Sequence, residues 1–178
     1  MIDGIKFRTI YADPPWYEIG GGKICRGAQK HYPIMKTPEI LSLMQRILEE
    51  KIDENAHIYL WVTNNHLFDG FKILEGLGFR YVTCITWLKN QIGLGQYFRG
   101  ITEHCLFGVK GSLPYKLLDN GRRAQGRTGF FANKTIHSSK PDIMYEMIEK
   151  VSYPPYLEMF ARERRIGWEN WGNEISEV

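Results

Sequence analysis

The chain has 178 residues, of which 43% are hydrophobic and 24% charged, enough to bury one sizeable core and short for two. Its formal charge of +3 is too small a surplus to establish a polyanion-binding surface, so any basic patch used for binding has to be local. Cys25, Cys84 and Cys105 are odd in number and form no CxxC pair, which argues against a disulfide framework or a thiolate zinc site, and no apolar run approaches the roughly 20 residues of a membrane span; a soluble, cytoplasmic chain is expected.

Residues 7–12 form a short β-favouring run that stops at Asp13 and two prolines, which cannot continue a sheet ladder. A strand is predicted to end there and a loop to begin. Thr37, Pro38 and Glu39 read as a helix start, and Ile40, Leu41, Met44, Ile47 and Leu48 then repeat on one face. Residues 56–63 predict a strand, and residues 67–77 a helix that Gly78 ends with positive φ. Residues 79–87 and 103–109 predict two more strands. Pro141 opens a helix carrying Ile143, Met144, Met147, Ile148 and Val151, and residues 156–160 close the pattern as a strand. Strands alternating with amphipathic helices imply one α/β domain over residues 1–178, a mostly parallel sheet with helices on both faces. Ligands of such sheets bind at the carboxyl ends of the strands, where Asp13 is expected. The loops at 20–30 (GGGKICRGAQK) and 120–127 (NGRRAQGR) lack apolar periodicity and are expected to be mobile without ligand.

Two phosphate motifs fail on inspection. GGGK is not a Walker loop, because Tyr17 stands where the first glycine belongs and Ile24 follows Lys23. Gly93-Leu-Gly95-Gln-Tyr-Phe98 places Phe98 at the third glycine of a dinucleotide fingerprint. The five histidines show no i, i+4 pairing, and no metal is expected.

Tyr11-Ala12-Asp13-Pro14-Pro15-Trp16 is more specific. A proline turn accounts for the prolines but gives no reason for an acid and an exposure-prone tryptophan beside them. Methylation of an exocyclic adenine amine accounts for all four residues from Asp13 to Trp16. The amine lone pair is delocalised into the ring, and two acceptors gripping its N–H bonds favour the nucleophilic, pyramidal form. Asp13 and the Pro14 carbonyl have the chemistry of those acceptors, Pro15 helps fix the backbone, and Trp16 is expected to stack on the base.

The chain resembles the MT-A seventy group of adenine-N6 methyltransferases. The resemblance rests on YADPPW (11–16), HYPIMKTPEI (31–40), IYLWVTNNHL (58–67), ITEHCLFGVKG (101–111), HSSKPD (137–142) and LEMFARERRIGWENWGNE (157–174). It implies a single-domain Rossmann-like methyltransferase fold in permuted motif order, with S-adenosylmethionine as cofactor and S-adenosylhomocysteine as product. It also implies that Lys140 meets the cofactor's carboxylate, that Asp13, Glu158 and Arg162 line its pocket, and that Asn173 and Glu174 grip its ribose. The types suit these roles, a lysine matching a carboxylate and an amide with a carboxylate accepting from a diol. Few residues precede the motif, so contacts to the cofactor's adenine are expected from other segments.

Substrate contacts are expected from Trp16, Tyr17, Arg26, Lys30, His31, Tyr32, Arg99, Arg122 and Arg123, where basic and aromatic loop residues suit a nucleic acid. Arg127 belongs to the same basic loop. DNA is expected before RNA, since no RNA-reading module is recognisable. A homodimer is compatible with the resemblance. A non-catalytic scaffold subunit is the competing reading, and the intact DPPW, Lys140 and Asn173 argue against it.

Overall fold

A computed structural model of the chain describes residues 4–17, 34–93, 95, 97–112, 115–133 and 139–172. Its centre is a seven-stranded sheet formed by β1 (Phe7–Ala12), β2 (Ile52–Val62), β3 (Arg80–Lys89), β4 (Thr102–Lys110), β5 (Gly129–Ala132), β6 (Tyr156–Met159) and β7 (Trp168–Trp171), in the order β5-β3-β4-β2-β1-β6-β7. All strands share one direction except β4, which runs antiparallel to both neighbours, β2 and β3. The mostly parallel sheet is therefore as expected.

The central strands are buried on both faces and their side chains alternate between two cores. On one face Ile10, Ile58, Leu60, Val62, Leu106 and Leu157 pack with Ile40, Met44, Leu48, Ile73 and Leu74. These last five belong to α1 (Thr37–Leu48) and α2 (Leu67–Gly76). On the other face Tyr11, Tyr59, Trp61, Trp87 and Tyr156 pack with Met144 and Ile148 of α3 (Ile143–Val151). Both faces are covered, and β1 lies where the chain turns outward on either side. That is the switch point at which open α/β sheets bind ligands.

Local signals explain the element ends. The α1 N-cap is Lys36, one residue earlier than expected, and its N–H donates to the Glu39 carboxylate at 2.8 Å. Gly78 follows α2 with φ +77°, as predicted, and Phe79 N–H closes the turn on Leu74 O at 2.8 Å. In α2, Gly70 is required by contact: a Cβ there would sit 2.6 Å from Val62 Cγ1 and 2.7 Å from Leu106 Cδ1. Deep in the α3 core, Ser152 Oγ lies 2.8 Å from His57 Nδ1 and 2.7 Å from the Tyr59 hydroxyl, tying the end of α3 to β2.

Three expectations change. Strand β2 starts at Ile52, and β5 and β7 extend the two sides of the sheet beyond what the apolar runs show. The 120–127 segment is not structureless. Leu118 N–H donates to Arg122 O, Gly121 N–H to Leu118 O and Ala124 N–H to Lys116 O, each at 2.8 Å, and Ala124 is buried. The segment is a tight reversal held to the end of α3 by Lys116 N–H on Val151 O. The other expected mobile loop, 20–30, lies outside the described residues. No helix among the described residues is long and apolar enough to cross a membrane.

Candidate active site

Strand β1 delivers Asp13 to the carboxyl edge of the sheet. There the Lys140 ammonium donates to Asp13 Oδ2 at 2.6 Å and lies 3.4 Å from Glu103 Oε2. Glu103 Oε1 in turn accepts from Lys89 Nζ at 2.5 Å. Four side chains from four segments thus alternate in sign: Asp13 after β1, Lys140 before α3, Glu103 at the start of β4 and Lys89 at the end of β3. The Lys140 ammonium also lies 5.3 Å from the Trp61 ring centroid. Burial works against the Lys140 charge, but the Asp13 and Glu103 carboxylates outweigh it and hold its pKa above the ordinary lysine value. Burial likewise pushes the Glu103 carboxyl up, and the two lysines reverse this and bring it below the ordinary glutamate range. Lys140 and Glu103 are therefore both ionised at neutral pH, and the pairing fixes the geometry of the four side chains.

The two prolines build the wall beside Asp13. Trp16 N–H donates to Pro14 O at 2.9 Å, and Met35 N–H to Pro15 O at 2.8 Å. The Pro14 carbonyl therefore has one lone pair committed to the turn and one left for a ligand. The Lys140 contact engages Asp13 through Oδ2, and a carboxylate's second oxygen, like a carbonyl's second lone pair, can accept from a ligand. At the end of β2, the Thr63 hydroxyl is the buried side-chain oxygen without a partner among the described residues. An unsatisfied hydroxyl and a buried ammonium at one edge suit a polar, carboxylate-bearing ligand.

Trp16 does not take the position expected of it. Only 6% of it is exposed, its indole N–H donates to Trp61 O at 2.9 Å, and the His66 ring stacks on it at 5.0 Å and 16°. His66 Nδ1 is held by Asp69 at 3.0 Å. A tryptophan so packed has no open face for a base. It fastens the loop after β1 to β2 and to the start of α2 instead. Tyr17 beside it is 39% exposed and stays at the edge.

Glu158 lies inside β6, not at the end of the last strand, because β7 follows it. One carboxylate oxygen accepts from the Tyr145 hydroxyl at 2.7 Å and the other from Asn170 Nδ2 at 3.1 Å. Burial raises its pKa despite these donors. Arg162 lies near enough to oppose the Lys140 charge. Between them Phe160 adopts φ +62°, a conformation that a bulky residue holds only when its surroundings impose it. Ala161 N–H then bonds Trp171 O at 3.0 Å, and Gly172 is obligatory because a Cβ there would lie 2.1 Å from Ala161 O.

Arg99 is exposed on the β3–β4 connection, at the same edge as Asp13. Arg122 and Arg123 are not: their turn packs on Val151 and Tyr153, beside the amino end of β1, and the Arg123 guanidinium lies 4.1 Å from the Tyr115 ring centroid. They stand at the far edge of the sheet and do not join Asp13. Arg127 lines a separate cavity of about 730 Å³ on the α3 side, with His57, Arg80 and Phe107. Arg26, Lys30, His31, Tyr32, Asn173 and Glu174 lie outside the described residues. Sequence reasoning missed Glu103 and Lys89. Their signal was an acid and a base at adjoining ends of two otherwise apolar strands.

A sequence profile of the MT-A70 family matches residues 7–174. The type II methyltransferase M.MunI of Mycoplasma sp is 29% identical over 96% of this chain and 78% of its own length. A putative N(6)-adenosine-methyltransferase MT-A70-like protein of Medicago truncatula is 32% identical over 97% of the chain. The human N(6)-adenosine-methyltransferase catalytic subunit METTL3 is 28% identical over the same share. The chain spans 27% and 29% of the lengths of these last two relatives. With the profile matching nearly the whole sequence, and Asp13 standing at the switch point of a doubly wound sheet, the chain belongs to the MT-A70 family.

Proposed function

We propose that the protein transfers a methyl group from S-adenosylmethionine to the N6 amine of adenine in a nucleic acid. The observation that carries this reading is Asp13 at the carboxyl edge of β1, clamped by Lys140 through one oxygen and followed by a proline carbonyl with a lone pair to spare. The cofactor supplies an activated methyl group; everything else required is positioning. Asp13 Oδ1 and Pro14 O accept the two amine N–H bonds and keep the nitrogen lone pair out of the ring. Lys140 holds Asp13 in one rotamer, with a donor left for the cofactor's carboxylate. Thr63 Oγ1, Arg162, Glu158, Asn173 and Glu174 complete the cofactor's polar contacts in this reading, Glu158 through lone pairs that Tyr145 and Asn170 leave open.

DNA is the proposed substrate. Supporting it is the likeness to a type II methyltransferase, which runs over most of both chains. RNA is the second reading, favoured by the likeness to N(6)-adenosine-methyltransferases. Tritium transfer from labelled S-adenosylmethionine to adenine-containing DNA and RNA, measured side by side, decides between them. Label in neither polymer overturns the activity itself.

A further inference from the structure

The connection between β3 and β4 carries a feature that the reading above does not use. Tyr97 and Phe98 are adjacent, 91% and 93% exposed, and stand on a loop whose two ends are Lys89 and Glu103. Those two residues are paired with each other, and Glu103 faces Lys140 beside Asp13. The loop that carries the two rings is thus rooted beside the proposed reaction centre.

The tip is built. Gly93 N–H donates to Gly100 O at 2.7 Å, and Arg99 Nε donates to Gly93 O at 2.9 Å. A Cβ at Gly93 would lie 2.8 Å from Gly100 O, and one at Gly95 would lie 1.9 Å from Phe98 O. Only glycine permits this closure, which pinches the loop and turns residues 97 and 98 outward. The glycines rejected above as a dinucleotide fingerprint therefore have another use. Two large rings in water at a loop tip contribute nothing to the core, and such exposure marks an interaction site.

Charge selects the partner. Lys89 is paired with Glu103, which leaves Arg99 as the loop's remaining cation, and no acidic residue stands from Leu88 to Thr102, so the exposed tip suits a polyanion with flat, stackable groups. We infer that Tyr97 and Phe98 form an aromatic tip that stacks on the bases flanking the target adenine, while Arg99 takes an adjacent phosphate. This deepens the proposed activity and rests on it. Base–aromatic stacking suits every base and supplies what unstacking the target base costs.

The test compares the wild type with Tyr97→Ala/Phe98→Ala, Phe98→Trp, Phe98→Leu and Arg99→Ala. The probe is a fluorescein-labelled adenine-rich oligodeoxynucleotide, single-stranded and annealed to its complement, with S-adenosylmethionine affinity and thermal midpoint measured on each protein. Loss of each ring should weaken oligonucleotide binding by roughly 5-fold or more, with cofactor affinity and midpoint unchanged. Phe98→Trp should retain binding and Phe98→Leu should not. Arg99→Ala should flatten the salt dependence by about one counterion, whereas the ring variants keep the wild-type slope. Wild-type oligonucleotide affinity in the folded double variant would overturn the inference while leaving the methyltransferase reading intact. So would a shift from dimer to monomer in sedimentation with affinity preserved, which would make the tip a protein contact. A wild type that neither binds nor methylates the probes, or RNA of the same sequence, would overturn both.

Discussion

Among the described residues Glu103 is the acid that faces two lysines, and its replacement by glutamine isolates what the alternating charge network contributes. Glu103→Gln keeps the shape and removes the charge, leaving Lys89 against a neutral oxygen and Lys140 with Asp13 alone. The side chains of Glu103 and Lys140 are only 20% and 12% exposed, so solvent screening is modest. Charge-assisted hydrogen bonds contribute about 1.5–3 kcal/mol each, and removing one partner of a buried pair costs about 3–5 kcal/mol. Because Lys140 retains Asp13, a loss of about 2–4 kcal/mol is expected, or a fall in thermal midpoint of about 5–15 °C for a chain of this size. The acid branch should change as well. In the wild type the Glu103 carboxyl is lowered from its ordinary value of 4.5, so its contribution is complete above that value and fades as pH falls through the lowered one. The variant should lack this component of acid unfolding. At the alkaline end the raised Lys140 pKa gives stability that is lost as pH rises through it, and with one carboxylate gone that loss should move to lower pH. Circular dichroism melts across the pH range measure all three effects. A variant with the wild-type midpoint at neutral pH and an unchanged acid branch would show that the network contributes nothing.

Asp13→Asn should lower methyl transfer by about 10²- to 10³-fold while Lys140 stays paired with Glu103 and the fold persists; initial rates of tritium incorporation beside a melting curve test this. Trp16→Phe strands the Trp61 carbonyl and should cost about 1–3 kcal/mol of stability, with oligonucleotide affinity little changed. Weakened oligonucleotide binding at unaltered stability would restore a base-stacking role to Trp16. Gly70→Ala sets helix propensity, worth about 1 kcal/mol in favour of alanine, against contacts of 2.6 and 2.7 Å with Val62 and Leu106. Overpacking typically costs about 1–3 kcal/mol, so denaturant titration should show a less stable protein.

The strands and helices that bury whole faces were legible because burial imposes a period on the sequence. Residues 7–12, 79–87 and 103–109, and the three helices, appear within a residue or two of their predicted bounds. Strands β5 and β7 were not legible, being four residues each and partly exposed at the sides of the sheet, where no continuous apolar run is demanded. The loop after β1 was legible in its place at the sheet edge and misread in one geometry. Asp13 and Lys140 do come together at the carboxyl edge, although 127 residues separate them. Trp16 is expected to stack on the base from the chemistry of its motif; its burial depends on Trp61 and His66, which no local pattern brings to it. Arg122 and Arg123 shared a basic composition with the site loops, but composition carries no information about which end of a strand a loop follows.

One strand running against the others has a consequence for how such a protein can change. Because β4 is reversed, the chain leaves β3 and enters β4 on the side of the sheet where Asp13 lies, through a simple hairpin and no crossover helix. Lengthening that hairpin costs only about 0.6 kcal/mol for each doubling, and no helix has to be repacked to accommodate it. Among the described connections, it can therefore be exchanged, extended or grafted while the half of the sheet formed by β1, β6 and β7 stays as it is. A library randomised over residues 97–99, with Gly93 and Gly95 kept, would vary the tip while leaving the proposed reaction centre unaltered.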